Sequence, residues 1–164
     1  MTPIISVSQT SPAMAEGWHP AATGSVGFGP HLMLDCRQCH PGKIGDVAYV
    51  FEVLKTLPAQ VGMTAITQPY VFPYAGLVPE DRGVTGMVVI AESHLSFHSF
   101  TEKDYFFFDL FSCKPFAVDA AVQFVLKAFE VNHWELHYAE RGRYFPRGTP
   151  GAPPTRGLPL PDRE

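Results

Sequence analysis

The chain has 164 residues, a formal net charge of -4, and 46% hydrophobic against 17% charged residues. One domain with a real core is the expectation at this length. The lack of a basic patch argues against nucleic acid as a partner, and no apolar run approaches the ~20 residues of a membrane-spanning helix.

The first residues, "MTPIISVSQTSPAMAEGWHP", have neither a basic start nor a sustained apolar segment, so they make a poor secretory signal and favour the cytoplasm. In that compartment Cys36, Cys39 and Cys113 read as thiols, not as a disulfide framework. Residues 1–27 are rich in small residues and proline without a period and are read as a flexible N-terminal arm. The strand "HLMLD" (31–35) opens the folded domain, taken as 28–143. "GDVAYVFEVLKTLPAQ" (45–60) reads as a helix capped by Asp46, with Val47, Val50, Phe51 and Leu54 at 3-4 spacing. "MTAITQPYVF" (63–72) is extended and interrupted by Pro69. "TGMVVIAE" (85–92), "HLSFHSF" (94–100) and "DYFFFDLFSC" (104–113) are strands by composition. "VDAAVQFVLKAFE" (118–130) is a second helix, with Asp119 as the expected cap and Val122, Leu126 and Phe129 on one face. "HWELHYAE" (133–140) is a last strand, and 144–164 is a Pro/Gly-rich tail expected to be disordered. The order β-α-β-β-β-β-α-β predicts an α/β (α+β) sandwich: a largely antiparallel sheet with two helices on one face.

Two stretches carry candidate chemistry. "CRQCH" (36–40) matches the C-x-x-C-H pattern of haem attachment literally, but attachment needs export, and no second axial ligand is evident. A zinc site needs four ligands, and no second ligand pair follows, so no metal is assigned. Two small residues at a strand end are the plainer account. In "VVIAESHLSFHSF" (88–100), alternation places His94, Ser96 and His98 on one face and Ser93, Leu95, Phe97 and Ser99 on the other. An edge strand with one polar face gives the same pattern. Serine-hydrolase chemistry finds little support, because "AESHL" lacks both glycines of the G-x-S-x-G elbow.

The Glu92-Ser93 junction permits another reaction. A serine hydroxyl can attack the carbonyl of the residue before it and turn the amide into an ester. A base that removes the serine α-proton then breaks the ester by β-elimination. The dehydroalanine left at the new N-terminus hydrolyses to a pyruvoyl ketone, an electron sink for amine substrates.

At this point the sequence resembles a known family. "GVTGMVVIAESHLSFHSFTEKDYFFFDLFSC" is similar to the short, bacterial and archaeal type of S-adenosylmethionine decarboxylase, with its G-V-[ST]-G-x-V-V-[IL]-A-E-S-H-[LI]-[ST]-[IF]-H-[ST]-[WF] run and a cysteine ending the next strand. "GPHLMLDCRQC" looks like the family's opening G-x-H-L-x-x-D-x-x-x-C strand, so the likeness spans roughly 29–130. It implies that Ser93 becomes the pyruvoyl cofactor by cleavage after Glu92, giving a β chain of 1–92 and an α chain of 93–164. It also implies His98 as the acid-base of self-processing, Thr85 as the assisting hydroxyl where the family usually has serine, and Glu92 as the cleavage-site acid. Cys113 would be the proton donor after CO2 leaves; an ordinary thiol, with a pKa of about 8.5, keeps its proton at neutral pH. Glu102 would hold the ribose hydroxyls, and Phe72 or Tyr74 would stack on adenine. The implied activity is conversion of S-adenosylmethionine to its decarboxylated form, through a Schiff base, for spermidine synthesis. The implied assembly is an αβ homodimer with sites at the interface. Departures are Thr101, where the family commonly has proline, a longer 68–86 segment, and the extra tail. Two alternatives stay open: the same cofactor acting on arginine or ornithine, and an unprocessed, non-catalytic homologue.

Overall fold

A computed structural model describes residues 5–9, 28–91, 93–142 and 145. The strands are β1 (Ile5–Gln9), β2 (Gly29–Arg37), β3 (Tyr70–Tyr74), β4 (Gly83–Ile90), β5 (Ser93–Phe100), β6 (Tyr105–Ser112) and β7 (His133–Arg141). The helices are α1 (Pro41–Ile44), α2 (Val47–Gln60) and α3 (Val118–Ala128). The strands form one antiparallel sheet in the order β1-β7-β2-β6-β5-β4-β3.

Alternation along the strands sorts the sheet into two faces. Leu32 and Leu34 of β2, Val84 and Val88 of β4, Leu95 and Phe97 of β5, Phe106, Phe108 and Leu110 of β6, and Trp134 and Leu136 of β7 are all buried in one core. Val50, Leu54 and Leu57 of α2 cover them, with Val122, Val125 and Leu126 of α3 and the adjoining Phe129. Phe97 stacks on Phe129, ring centroids 4.9 Å apart, which ties the middle of β5 to the end of α3. Each such side chain contributes about 1.5–3 kcal/mol through burial. Among the described residues, no helix lies on the opposite face. Met87, Phe107 and Phe72 stand there 47%, 40% and 48% exposed.

The antiparallel sandwich agrees with the expectation, and five details differ from it. Residues 5–9, expected within a flexible arm, pair with β7 as an added edge strand; the rest of the arm, and the tail apart from Phe145, lie outside the described residues. The short helix α1 adds an element before α2. Asp46 caps α2 as expected, its Oδ1 accepting from Ala48 N at 2.9 Å and Tyr49 N at 3.1 Å. Asp119 does not cap α3: the helix starts at Val118 with Ala117 as N-cap, which leaves Asp119 inside the first turn. Phe51 is only half-buried, and Val53 and Leu57 take core positions instead. The fifth difference is that β5, whose pattern also suits an edge strand, has two strands beyond it on one side and four on the other.

Candidate active site

"CRQCH" makes no ligand cluster. Cys36 lies on the core face of β2, Cys39 is buried, and His40 is the exposed N-cap of α1. Burial pushes the Cys36 thiol well up and the Cys39 thiol up to about 12, so both are apolar packing groups. Ser99 is structural as well. Fully buried, it donates to the Ile44 carbonyl at 2.7 Å and accepts from Val84 N at 2.9 Å, fastening β5 to β4 and to α1.

The remaining candidates fall into two groups at opposite ends of β5. The first gathers where β4 begins and β5 ends. Thr85 and His98 are register partners on the helix-free face, with Thr85 Oγ1 2.6 Å from His98 Nδ1. Desolvation lowers the His98 pKa and favours its neutral, proton-accepting form. Tyr74 and Phe100 meet its ring edge-on, at 4.9 and 4.8 Å between centroids. Phe72 sits across from Thr85 in the β3–β4 register, so both adenine candidates stand here. Glu102 follows β5 in a turn of 3-10 helix, and Arg82 Nε donates to its Oε1 at 2.8 Å. Arg82 Nη2 contacts the same oxygen. Gly83 is obligatory at this end, because a Cβ there would collide with the Ser99 carbonyl.

The second group lies where β5 begins and β6 ends. Ser93 pairs with Ser112, so Cys113, half-buried, is one residue beyond the pair at the same end of the sheet. Gly29 of β2 lets the chains close up here: a Cβ on it would strike the Ser112 carbonyl and come within 2.9 Å of Cys113 Cα. Glu92 lies outside the described residues. The two groups do not meet within one chain. Ser93 and His98 are five residues apart on one extended strand, about 16 Å at ~3.3 Å per residue.

Four further side chains beside these groups were not among the expected site residues. Ser93 Oγ lies 3.1 Å from His94 Nδ1. His31 Nε2 lies 3.4 Å from Asp109 Oδ1, and His31 and His94 flank the same Phe111 ring. Arg82 anchors Glu102. The H of the opening G-x-H-L strand was a visible signal for His31; neither Arg82 nor Asp109 carries one, since their partners come from turns and strands brought together only by the fold. A groove of about 520 Å³ on the helix side, lined by Tyr49, Val53 and Phe124 among others, includes none of the candidate residues.

Known proteins match the same part of the chain. The sequence profile of S-adenosylmethionine decarboxylases matches residues 30–142. An S-adenosylmethionine decarboxylase proenzyme of Pyrococcus horikoshii is 30% identical over 116 residues, covering 70% of this chain and 79% of that protein. One from Thermotoga petrophila is 32% identical over 127 residues, covering 75% of this chain and 91% of that protein. The crystal structure of the adenosylmethionine decarboxylase from Aquifex aeolicus shares the fold, with a TM-score of 0.61 at 23% identity over 71% of this chain and 92% of that one. The profile match spans the whole sheet from β2 to β7, together with both ends of β5, and the chain therefore belongs to the S-adenosylmethionine decarboxylase family of enzymes.

Proposed function

We propose that this chain is a self-processing, pyruvoyl-dependent decarboxylase of S-adenosylmethionine, supplying aminopropyl groups for spermidine synthesis. One observation carries the reading: the β5–β6 register pairs Ser93 with Ser112, the residue before Cys113, while Thr85 is already paired at 2.6 Å with a His98 whose pKa burial lowers. The residues fit formation of the cofactor from Ser93, whose hydroxyl reaches an imidazole at the first position of its strand. Once formed, the pyruvoyl ketone supplies an electron sink for an amine-bound substrate losing CO2.

The protein's own groups then divide the work. Thr85 and His98 serve self-processing, with Thr85 holding the imidazole by its Nδ1 and leaving Nε2 to move the proton. Cys113 stands at the Ser93 end to return a proton to the substrate carbon. Glu102, fixed by Arg82 through Oε1, presents its other oxygen to the ribose hydroxyls, which a free amino acid would not need. Phe72 is more exposed than Tyr74, which is engaged with His98, and so offers the open ring face to adenine.

The separation of the two groups calls for a second copy. Two chains paired through their helix-free faces, with their β5 strands running oppositely, bring each Ser93 end to the partner's His98 end. The exposed Met87, Phe107 and Phe72 are apolar surface that such pairing would cover. Cys36, Cys39 and Cys113 as free thiols suit a reducing compartment such as the cytoplasm.

Denaturing mass spectrometry tests the cleavage. Active protein is expected as two fragments, 1–92 and 93–164, with a hydride-trappable carbonyl on the second. Ser93→Ala is expected to stay whole at 18.1 kDa and to be inactive. One intact species in catalytically active protein rejects the reading. Release of CO2 from arginine or ornithine, but not from S-adenosylmethionine, rejects the substrate.

A further inference from the structure

Self-processing needs two proton transfers with different geometries. The first takes the Ser93 hydroxyl proton as Oγ attacks the Glu92 carbonyl. The second takes the Ser93 α-proton from the ester. His98 of the same chain reaches neither, being five residues along an extended strand with its Nδ1 already engaged by Thr85. Ser112, the register partner of Ser93, has its hydroxyl committed: it donates to the Lys114 carbonyl at 2.7 Å and accepts from Lys114 N at 3.1 Å. Among the described residues, the titratable group at the reacting oxygen is His94, with Nδ1 3.1 Å from Ser93 Oγ.

The imidazole of His94 is held in place. Its ring packs on Phe111, centroids 6.0 Å apart and planes tilted by 57°. Phe111 is the register partner of both His94 and His31, so the three side chains form one row across the helix-free face. His31 meets the far edge of Phe111 at 5.7 Å and lies against Asp109, while the Arg141 guanidinium covers the ring at 4.1 Å. A ring so buttressed keeps its nitrogen in a fixed direction at little entropic cost when the reaction starts.

Building on the proposed self-processing, we propose that His94 is the catalytic base and acid of its first step, the shift of the Glu92 acyl group from nitrogen to oxygen. The Ser93 hydroxyl proton passes to His94 Nδ1 as the Oγ–carbon bond forms. The carbon–nitrogen bond then breaks, and His94 returns the proton to the departing nitrogen. An ester and a free amine result; nothing is oxidised or reduced and no co-reactant is consumed. The later removal of the α-proton is left to His98 of the second copy in the proposed dimer, so the two histidines of "SHLSFH" do separate jobs.

Hydroxylamine separates the two steps, because it cleaves the ester and spares the amide. The test uses the full-length chain, freshly folded, with fragments counted by denaturing mass spectrometry. His94→Gln is expected to slow cleavage by about 10²–10⁴-fold and to yield no hydroxylamine-sensitive material. His98→Ala is expected to accumulate the ester, which hydroxylamine splits at 92/93. Added imidazole is expected to restore cleavage of His94→Ala. Wild-type cleavage rates in folded His94→Gln, or ester accumulation there as in His98→Ala, overturn the assignment. Should both His94 variants fail to fold, the His98→Ala chain decides: acylating its remaining imidazoles with diethyl pyrocarbonate before the shift is expected to stop ester formation, and ester formation at the untreated rate overturns the role. A wild-type chain that never cleaves would instead defeat the proposed function itself.

Discussion

The two ends of β5 are built from similar parts and arranged for different purposes. At the His98 end the polar groups are paired before any substrate arrives: Thr85 with His98, Arg82 with Glu102, and aromatic rings around both. At the Ser93 end the nucleophile and the thiol are brought together by strand register and a glycine contact, and the only partner found at the Ser93 hydroxyl among the described residues is His94. Under the proposed function, the first end is a finished binding and proton-transfer site, and the second a site still to be made by breaking the chain. Their separation along one strand is what the proposed dimer answers, in which each end meets the other end of a second copy.

The largest effect expected from this contrast is in mixed dimers. Ser93→Ala and His98→Ala are each expected to remain uncleaved alone. Folded together, they are expected to give cleavage of the His98→Ala chain only, because its Ser93 meets the partner's intact His98. Failure of that chain to cleave in verified mixed dimers breaks the link between the two ends. A smaller effect is expected at the thiol: Cys113→Ser should mature and then turn over about 10²-fold more slowly, as seen by comparing fragment yield with CO2 release. Full turnover would remove Cys113 from the chemistry. Smaller again, Glu102→Gln should leave cleavage intact and raise KM by about ten- to a hundred-fold, the worth of a charge-assisted hydrogen bond of ~1.5–3 kcal/mol. Slowed cleavage in that variant would show that the two ends are not separable in this way.

The smallest expected effect is a displaced pH limb. Burial lowers the pKa of His98 in the fold, so its base form persists below the ordinary histidine value of about 6.5. α-Proton removal, followed as decay of the ester, should therefore hold constant down through pH 6.5 and fall only at lower pH. The stability consequence has the same sign. Below about pH 6.5 the unfolded chain binds a proton at this site before the folded one does, so stability falls with falling pH in that window. A limb above 6.5 would place another group in the role.

Periodicity alone exposed much of the fold. The 3-4 spacing of Val50 and Leu54 and of Val122 and Leu126 marked the two long helices, and alternation in "HLSFHSF" named the faces of β5 correctly. The caps show the limit of such reading. Asp46 and Asp119 look equivalent in sequence, yet only Asp46 stands outside its helix with its carboxylate turned back to the first amides. Cap geometry depends on the backbone dihedrals of one residue, which composition does not report. The strand at 5–9 had no signal of its own, because its pairing with β7 is made with residues more than a hundred positions away.

Within the site, the sequence by itself determined the chemical inventory: a serine after a glutamate, a thiol at the next strand's end, two histidines at strand spacing, and a carboxylate four residues past the second. Those are covalent facts carried by a continuous motif. Only the tertiary structure decided who meets whom. It put Thr85 on His98, Arg82 on Glu102 and Cys113 beside Ser93, committed Ser99 to the core, and held His98 too far from Ser93 to serve it within one chain. Register and sheet order set those distances, and they come from the burial of one face against α2 and α3, a property of the whole folded chain and of no local stretch of it.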